Sequence, residues 1–300
     1  MAGQSPLVVG LDIGATKIMA GLVTAGGELR RSLQVATAPS PPAILAAARA
    51  LCDTLVAEAP APVLGIGIGC AGVVDTRRAT VIHANDNLPG WGGTALRAIS
   101  TGGLPVVADN DVRAMAYGEA KLGAGRGYDS LLCVTVGTGI GGALIFNGET
   151  WPGAGFCAGE IGYLVVGWEG ETPLILDQYA SGPAIERAYQ GATGIDERLP
   201  LTEISARAAA GDATAQAVIQ RKARELGAIL AGYATSVNPQ AVIVGGGVPQ
   251  IGALWWDAFA SGFRASLPAL LAGTQLLPAA LGVEAVLLGA ALLAWREVAS

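Results

Sequence analysis

Charge is scarce in this chain. Only 14% of its 300 residues are Asp, Glu, Lys or Arg, and 52% are apolar. Residues 130–148, 226–256 and 265–283 carry no charge at all. Each of these runs is interrupted by Gly137, Gly139, Gly141 and Gly142, by Pro239 and Gly245, Gly246 and Gly247, or by Pro268 and Pro278. A membrane span needs about 20 continuous apolar residues, so no membrane partner is expected. Residues 1–6 show no basic segment, apolar run and small-residue cleavage site, and a cytoplasmic location is expected. Basic clusters are also missing: the net charge is −6, and Arg30-Arg31 and Arg77-Arg78 read as solvated turns, which argues against nucleic acid as a partner. Four cysteines form no CxxC pair, so neither a disulfide framework nor a zinc knuckle is suggested, and all four read as small buried residues. The single histidine, His83, has no triad companions and receives no role.

Glycine is plentiful, with 44 residues. A chain of 300 residues exceeds what one core serves, so two lobes are expected. Residues 7–23 read as a β-hairpin bent at Gly14, with Asp12, Thr16 and Lys17 around the bend. Such a bend can offer N–H groups and the Thr16 hydroxyl to phosphate, and Asp12 to a magnesium-bound water. Taken alone it reads better as a tight turn with a polar rim. An offset of 123 residues, however, lays residues 131–148 on it: Val9, Leu11 and Ile13 meet Leu132, Val134 and Val136, and Gly14 meets Gly137. A hairpin repeated once per half suggests two related lobes facing each other. The second copy reads Gly137-Thr138-Gly139-Ile140-Gly141-Gly142, without the charges of Asp12 and Lys17. Fewer side chains allow closer backbone approach, making it the better cradle for a nucleotide's terminal phosphates.

Between the copies, residues 42–59 read as a helix with Ile44, Leu45, Ala48, Leu51, Cys52, Leu55 and Val56 inward. Residues 63–68 and 104–108 read as strands, 85–91 as a loop and 112–122 as a helix. Asn110 and Asp111 fall where strand gives way to helix. Asn or Asp there is an ordinary N-cap, yet strand C-terminal ends are also where α/β sheets bind ligands. Farther on, a helix over 212–237 stops at Asn238-Pro239, a strand over 241–244 runs into Gly245-Gly246-Gly247, and 285–298 closes with a helix.

The ordered set Asp12-Ile-Gly-Ala-Thr-Lys17, Asn87-Leu-Pro-Gly-Trp91, Asn110-Asp111, Gly137-Thr-Gly-Ile-Gly141, Ala158-Gly-Glu-Ile-Gly162, Ala180-Ser-Gly182 and Val242-Ile-Val-Gly-Gly-Gly-Val248 resembles the ROK family of sugar kinases and sugar-responsive repressors. The resemblance covers nearly the whole chain. It implies a two-lobed α/β fold of the actin/hexokinase (ribonuclease H-like) type, and transfer of the ATP γ-phosphate to a hexose hydroxyl, usually the 6-hydroxyl. It further implies Asp111 as general base, Asn110, Glu160 and Gly72 on the sugar side, and Gly14, Gly137, Thr138 and Gly139 near phosphates. Gly245, Gly246 and Gly247 would pass close to the adenosine. ATP and Mg²⁺ are the expected cofactors, a homodimer the expected assembly. The first lobe would comprise residues 1–113 with the final helix from 285 packed back on it, and the second 114–284.

The chain also departs from the family pattern. Kinases of this family commonly follow Ala-Gly-Glu-Ile-Gly with a histidine and a cysteine cluster that binds zinc. Here Tyr163 stands in place of the histidine and residues 165–176 contain no cysteine, so no zinc is expected. The family's sugar-contacting glutamate aligns with Asp177, one methylene shorter, so Asp177 and Tyr163 are candidates for contacts at C1 and C2. Glucose is the first expectation for the sugar, an N-acetylmannosamine or N-acetylglucosamine kinase the second. Polyphosphate remains an alternative donor. A repressor would carry a helix-turn-helix ahead of the first hairpin, for which residues before Leu7 leave no room. A sugar-binding protein without catalysis fits poorly with an intact Asp111 and two glycine loops.

Overall fold

The computed structural model describes residues 5–84 and 88–299. Asn87, with its neighbours Asn85 and Asp86, lies outside the described residues. The chain forms two compact units, Met1–Gly127 with Leu144–Ala158 and Ala280–Ser300, and Tyr128–Ala143 with Gly159–Ala279.

The first unit is built on a five-stranded sheet of order β3-β2-β1-β4-β7. Its strands are β1 (Leu7–Ile13), β2 (Lys17–Thr24), β3 (Leu29–Ala36), β4 (Val63–Cys70) and β7 (Val106–Asn110). A two-stranded hairpin, β5 (Val73–Asp75) with β6 (Thr80–His83), follows β4. The apolar run of β1 is buried on both faces, as a central strand requires. Its period of two sorts side chains between two layers. Leu7, Val9, Leu11 and Ile13 join α1 (Pro41–Ala57) through Ile44, Ala48, Leu51 and Leu55, while Val8 packs with Leu287, Leu288 and Ala291 of α8 (Ala285–Ala299). Leu45 and Val56 pack at the margin of the α1 layer. Arg30 and Arg31, expected in a turn, lie within β3, where Arg30 pairs with Glu28 and Arg31 with Glu58.

Helix α8 lies directly on the sheet. A Cβ at Gly67 of β4 would stand 1.8 Å from the Ala290 carbonyl oxygen, so only glycine permits this approach. Helix α2 (Asp111–Lys121) packs along α8 in the same unit, so the first unit extends past the division after Arg113 that the sequence suggests.

The second sheet repeats the order, as β10-β9-β8-β13-β14. Its strands are β8 (Leu131–Val136), β9 (Ile140–Phe146), β10 (Glu149–Thr150), β13 (Ala241–Gly245) and β14 (Gln275–Pro278). Val136 ends β8 123 residues after Ile13 ends β1, and Ile140 opens β9 123 residues after Lys17 opens β2, so the repeated hairpin is structural as well as sequential. The boundary between the units falls inside β9. The cysteine-free stretch forms a small hairpin, β11 (Val165–Glu169) with β12 (Thr172–Ile175). Helices α3 (Leu176–Ala180), α4 (Gly182–Thr193), α5 (Leu201–Ala209), α6 (Ala213–Val237) and α7 (Ala253–Ser266) complete the second unit. Asp212 caps α6 by accepting from Thr214 and Ala215, and Asn238 ends it in the left-handed region before Pro239.

Candidate active-site residues in each unit

In the first unit the C-terminal ends of the parallel strands β1, β4 and β7 lie side by side, with Ile13 opposite Cys70 and Cys70 opposite Asn110. Parallel strand ends are where such sheets gather ligand groups. Asn110 ends β7 and caps α2, its Oδ1 accepting from the Arg113 N–H at 3.1 Å. Its Nδ2 donates to the Gly72 carbonyl at 3.0 Å and to Asp111 Oδ1 at 2.9 Å. Asp111 Oδ1 also accepts from the Val112 N–H at 2.8 Å. The Asn110 side chain thus orients the Asp111 carboxylate, and Gly72 enters through its carbonyl on Asn110.

Burial pushes the Asp111 carboxyl up to about 6, against the opposing pull of the Val112 N–H and the Asn110 side chain. Burial, and next the charge of Asp111, push Asp12 at the end of β1 up to about 7, with Lys17 pulling it down. Both of these neighbouring carboxyls therefore hold a proton more tightly than a free aspartic acid does. At the β1–β2 bend, Gly14 donates to the Lys17 carbonyl at 3.1 Å, and Thr16 is exposed. Cys70, fully buried beside these groups, has its thiol pushed up by burial and by Asp111, which keeps it protonated and unreactive.

Two residues that the sequence reading passed over complete this half. Arg113 is 1% exposed and forms an ion pair with Asp109, itself 4% exposed. Arg113 also donates to the carbonyls of Phe156 and Val74, and Asp109 accepts from the Asn110 N–H at 2.7 Å. Burial raises the Asp109 carboxyl while Arg113 opposes it. A spacing of four between Asp and Arg was the available signal, but it is broken by the change from strand to helix at Asp111. Trp91, the last residue of the Asn87 motif, is fully buried and donates to the Ala71 carbonyl, so its place is in the core.

In the second unit the loop 137–140 joins β8 to β9. Gly137 donates to the Gly139 carbonyl at 2.8 Å, and Thr138 is exposed at the apex. Gly245 ends β13, and Gly246 has φ +97° with its Cβ direction 2.3 Å from the Val136 carbonyl oxygen, a position open to glycine alone. Gly247 follows, exposed. Glu160 is half-buried ahead of a short turn over Ile161–Tyr163. Tyr163 is 59% exposed. Asp177, expected on the sugar side, uses Oδ1 to accept from the Ile140 N–H at 2.6 Å, in the glycine loop. Cys157 is exposed, unlike the other three cysteines, because it sits in the loop after Trp151 with its thiol on the Gly155 carbonyl. Among the described residues, no group of three or more His, Cys, Asp or Glu side chains is placed to hold a metal ion.

The ROK family pattern matches residues 8–297. The chain belongs to the ROK family. It is 34% identical to a glucokinase of Streptomyces coelicolor, over 96% of this chain and 97% of the relative. It is 33% identical to an N-acetylmannosamine kinase of Escherichia coli, over 96% of this chain and 98% of the relative. Among solved structures, a ROK family glucokinase from Streptomyces griseus in complex with glucose and AMPPNP superposes with a TM-score of 0.81 at 36% identity, covering 97% of this chain and 99% of that one. A ROK hexokinase from Thermus thermophilus gives a TM-score of 0.85 at 33% identity, covering 98% of this chain and 99% of that one. The α/β fold is therefore the actin/hexokinase-like fold of ROK hexokinases. No described helix is long and apolar enough to cross a membrane.

Proposed function

We propose that this ROK protein is an ATP-dependent hexose kinase acting on glucose, with Asp111 as the general base. The observation that carries the reading is the half-buried Asp111 carboxylate, held at a strand end by Asn110 and the Val112 N–H, in a chain 34% identical to a glucokinase over nearly its full length. A sugar hydroxyl is a weak nucleophile until its proton has an acceptor nearby. The bonds from Asn110 and Val112 fall on Oδ1, and Oδ2 is the oxygen we assign to the hydroxyl proton. As the hydroxyl oxygen forms its bond to the γ-phosphorus, the bond from that phosphorus to the β–γ bridging oxygen breaks, the proton passes to Asp111 and ADP leaves.

The Asp12 and Asp111 pair fits a divalent cation accompanying ATP, since burial and then the neighbouring Asp111 charge raise the proton affinity of Asp12, and a cation would offset both. When bound, Mg²⁺ supplies neutralisation of the phosphate charge. Asp12 would hold it through water. Backbone N–H groups of the 137–140 loop, and the Gly245–Gly247 turn, we assign to phosphate and adenosine. The likeness to an N-acetylmannosamine kinase supports a second reading, in which the acceptor is an N-acetylhexosamine. A coupled ADP-release assay over glucose, N-acetylmannosamine and N-acetylglucosamine tests both. Release of ADP with none of these sugars would overturn the kinase assignment.

A further inference from the structure

The geometry points to Asp177 as the residue that fixes the shape of the 137–140 loop, which places its work on the nucleotide side of the reaction; the nucleotide part of this inference rests on the kinase reading. Asp177 stands in the first turn of α3, and its Oδ1 accepts from the Ile140 N–H at 2.6 Å. A carboxylate bond to an N–H is stronger than a neutral one, and a main-chain donor left without its acceptor is costly. The opposite end of the loop is held from the same stretch of chain, because Gly182, opening α4, donates to the Gly137 carbonyl at 2.8 Å. Residues 177–182 therefore clamp both ends of a loop of four residues. The packing is close: a Cβ at Gly139 would stand 2.7 Å from Asp177 Oδ1, and one at Gly162 would meet the Ile140 carbonyl oxygen at 2.3 Å.

Asp177 takes up the Ile140 N–H, and the Gly137 N–H is used within the loop by the Gly139 carbonyl. The N–H groups of Thr138 and Gly139 lie between the two clamps, and they are the ones we assign to phosphate oxygen. A loop held at both ends presents them without the entropy loss of ordering a glycine-rich segment on binding. An aspartate with its short side chain spent on a backbone donor in the loop is a positioning residue, acting through Ile140.

Asp177→Ala and Asp177→Asn separate this role from a sugar contact. With Mg²⁺ present, AMPPNP affinity measured by calorimetry should fall about tenfold or more in Asp177→Ala, the scale of a lost charge-assisted bond. Glucose affinity should hold. Asp177→Asn keeps an acceptor oxygen and should restore most of the AMPPNP affinity. Amide exchange should find the Ile140 N–H protected in the wild type and in Asp177→Asn, and unprotected in Asp177→Ala. A loss of glucose affinity with AMPPNP affinity unchanged overturns the assignment. So does an Asn variant as weak as the Ala variant, or a rapidly exchanging Ile140 N–H in the wild type, which keeps the test decisive even if Asp177→Ala fails to fold. A wild type that binds AMPPNP yet phosphorylates no sugar sinks the kinase reading and leaves the clamp standing.

Discussion

In the proposed reaction Asp111 is the base, and its surroundings make it a weaker acid than a free aspartic acid. Burial raises its carboxyl from 3.8 to about 6, and Asp12 beside it is raised to about 7. The pair titrates together, so kcat/KM should climb with pH through an apparent pKa between about 6 and about 7, a limb that a pH–rate profile reads directly. Asp111→Asn should lower kcat by roughly 10²-fold or more while glucose still binds. A near-normal kcat in that variant would remove Asp111 from the mechanism. The same shift bears on stability. A raised folded-state pKa gives stability that is present below 3.8 and lost as pH rises through about 6. Asp111→Asn should therefore melt above the wild type at about pH 8, and the gain should vanish in acid.

At the scale of elements, the junction between β7 and α2 depends on a buried ion pair. Breaking such a pair leaves a buried charge and costs about 3–5 kcal/mol, whereas replacing both members with apolar residues of similar size costs much less. Arg113→Met should thus destabilise strongly in denaturant unfolding, and Asp109→Leu with Arg113→Met should recover part of the loss. The glycine loop makes a second prediction, since Gly139→Val forces the side chain against Asp177 and should weaken MgATP binding much more than glucose binding. Equal nucleotide affinity in titration would reduce the repeated hairpin to architecture.

The hairpins and α1 were legible in the sequence because periods of two and 3.6 are local properties. The strand read over 104–108 lies two residues later, at Val106–Asn110. Its polar end, Asp109-Asn110, is invisible to a search for apolar residues, and the Pro105 carbonyl only accepts from Ile66 at the strand's edge. Asn110 caps α2 and at the same time donates to the Asp111 carboxylate, so capping does not exclude a ligand-binding role. The partnership of Asp177 with Ile140 spans 37 residues and has no local signature.

For the molecule as a whole, sugar choice is the open chemical quantity. The ratio of kcat/KM for glucose to that for N-acetylmannosamine and N-acetylglucosamine should exceed unity. A ratio below unity would give the chain to the N-acetylhexosamine kinases. Purified protein should carry substoichiometric zinc, because residues 165–176 supply neither Cys nor His. Tightly bound zinc at one per chain would overturn that expectation.

Helix α8 sets the order of events when the protein is made. The first sheet is complete in sequence at Asn110, but one of its two covers begins at Ala285. Trp295 donates to the Val23 carbonyl across a separation of 272 residues. During synthesis, β1 and β4 must wait with Val8, Gly10 and Gly67 bare while the second unit is translated. Such long-range closure is slow and leaves an apolar sheet face open to aggregation or to a chaperone. A ribosome-stalled chain ending before Ala285 should therefore be protease-sensitive in its first unit, and resistance should appear only once α8 has emerged.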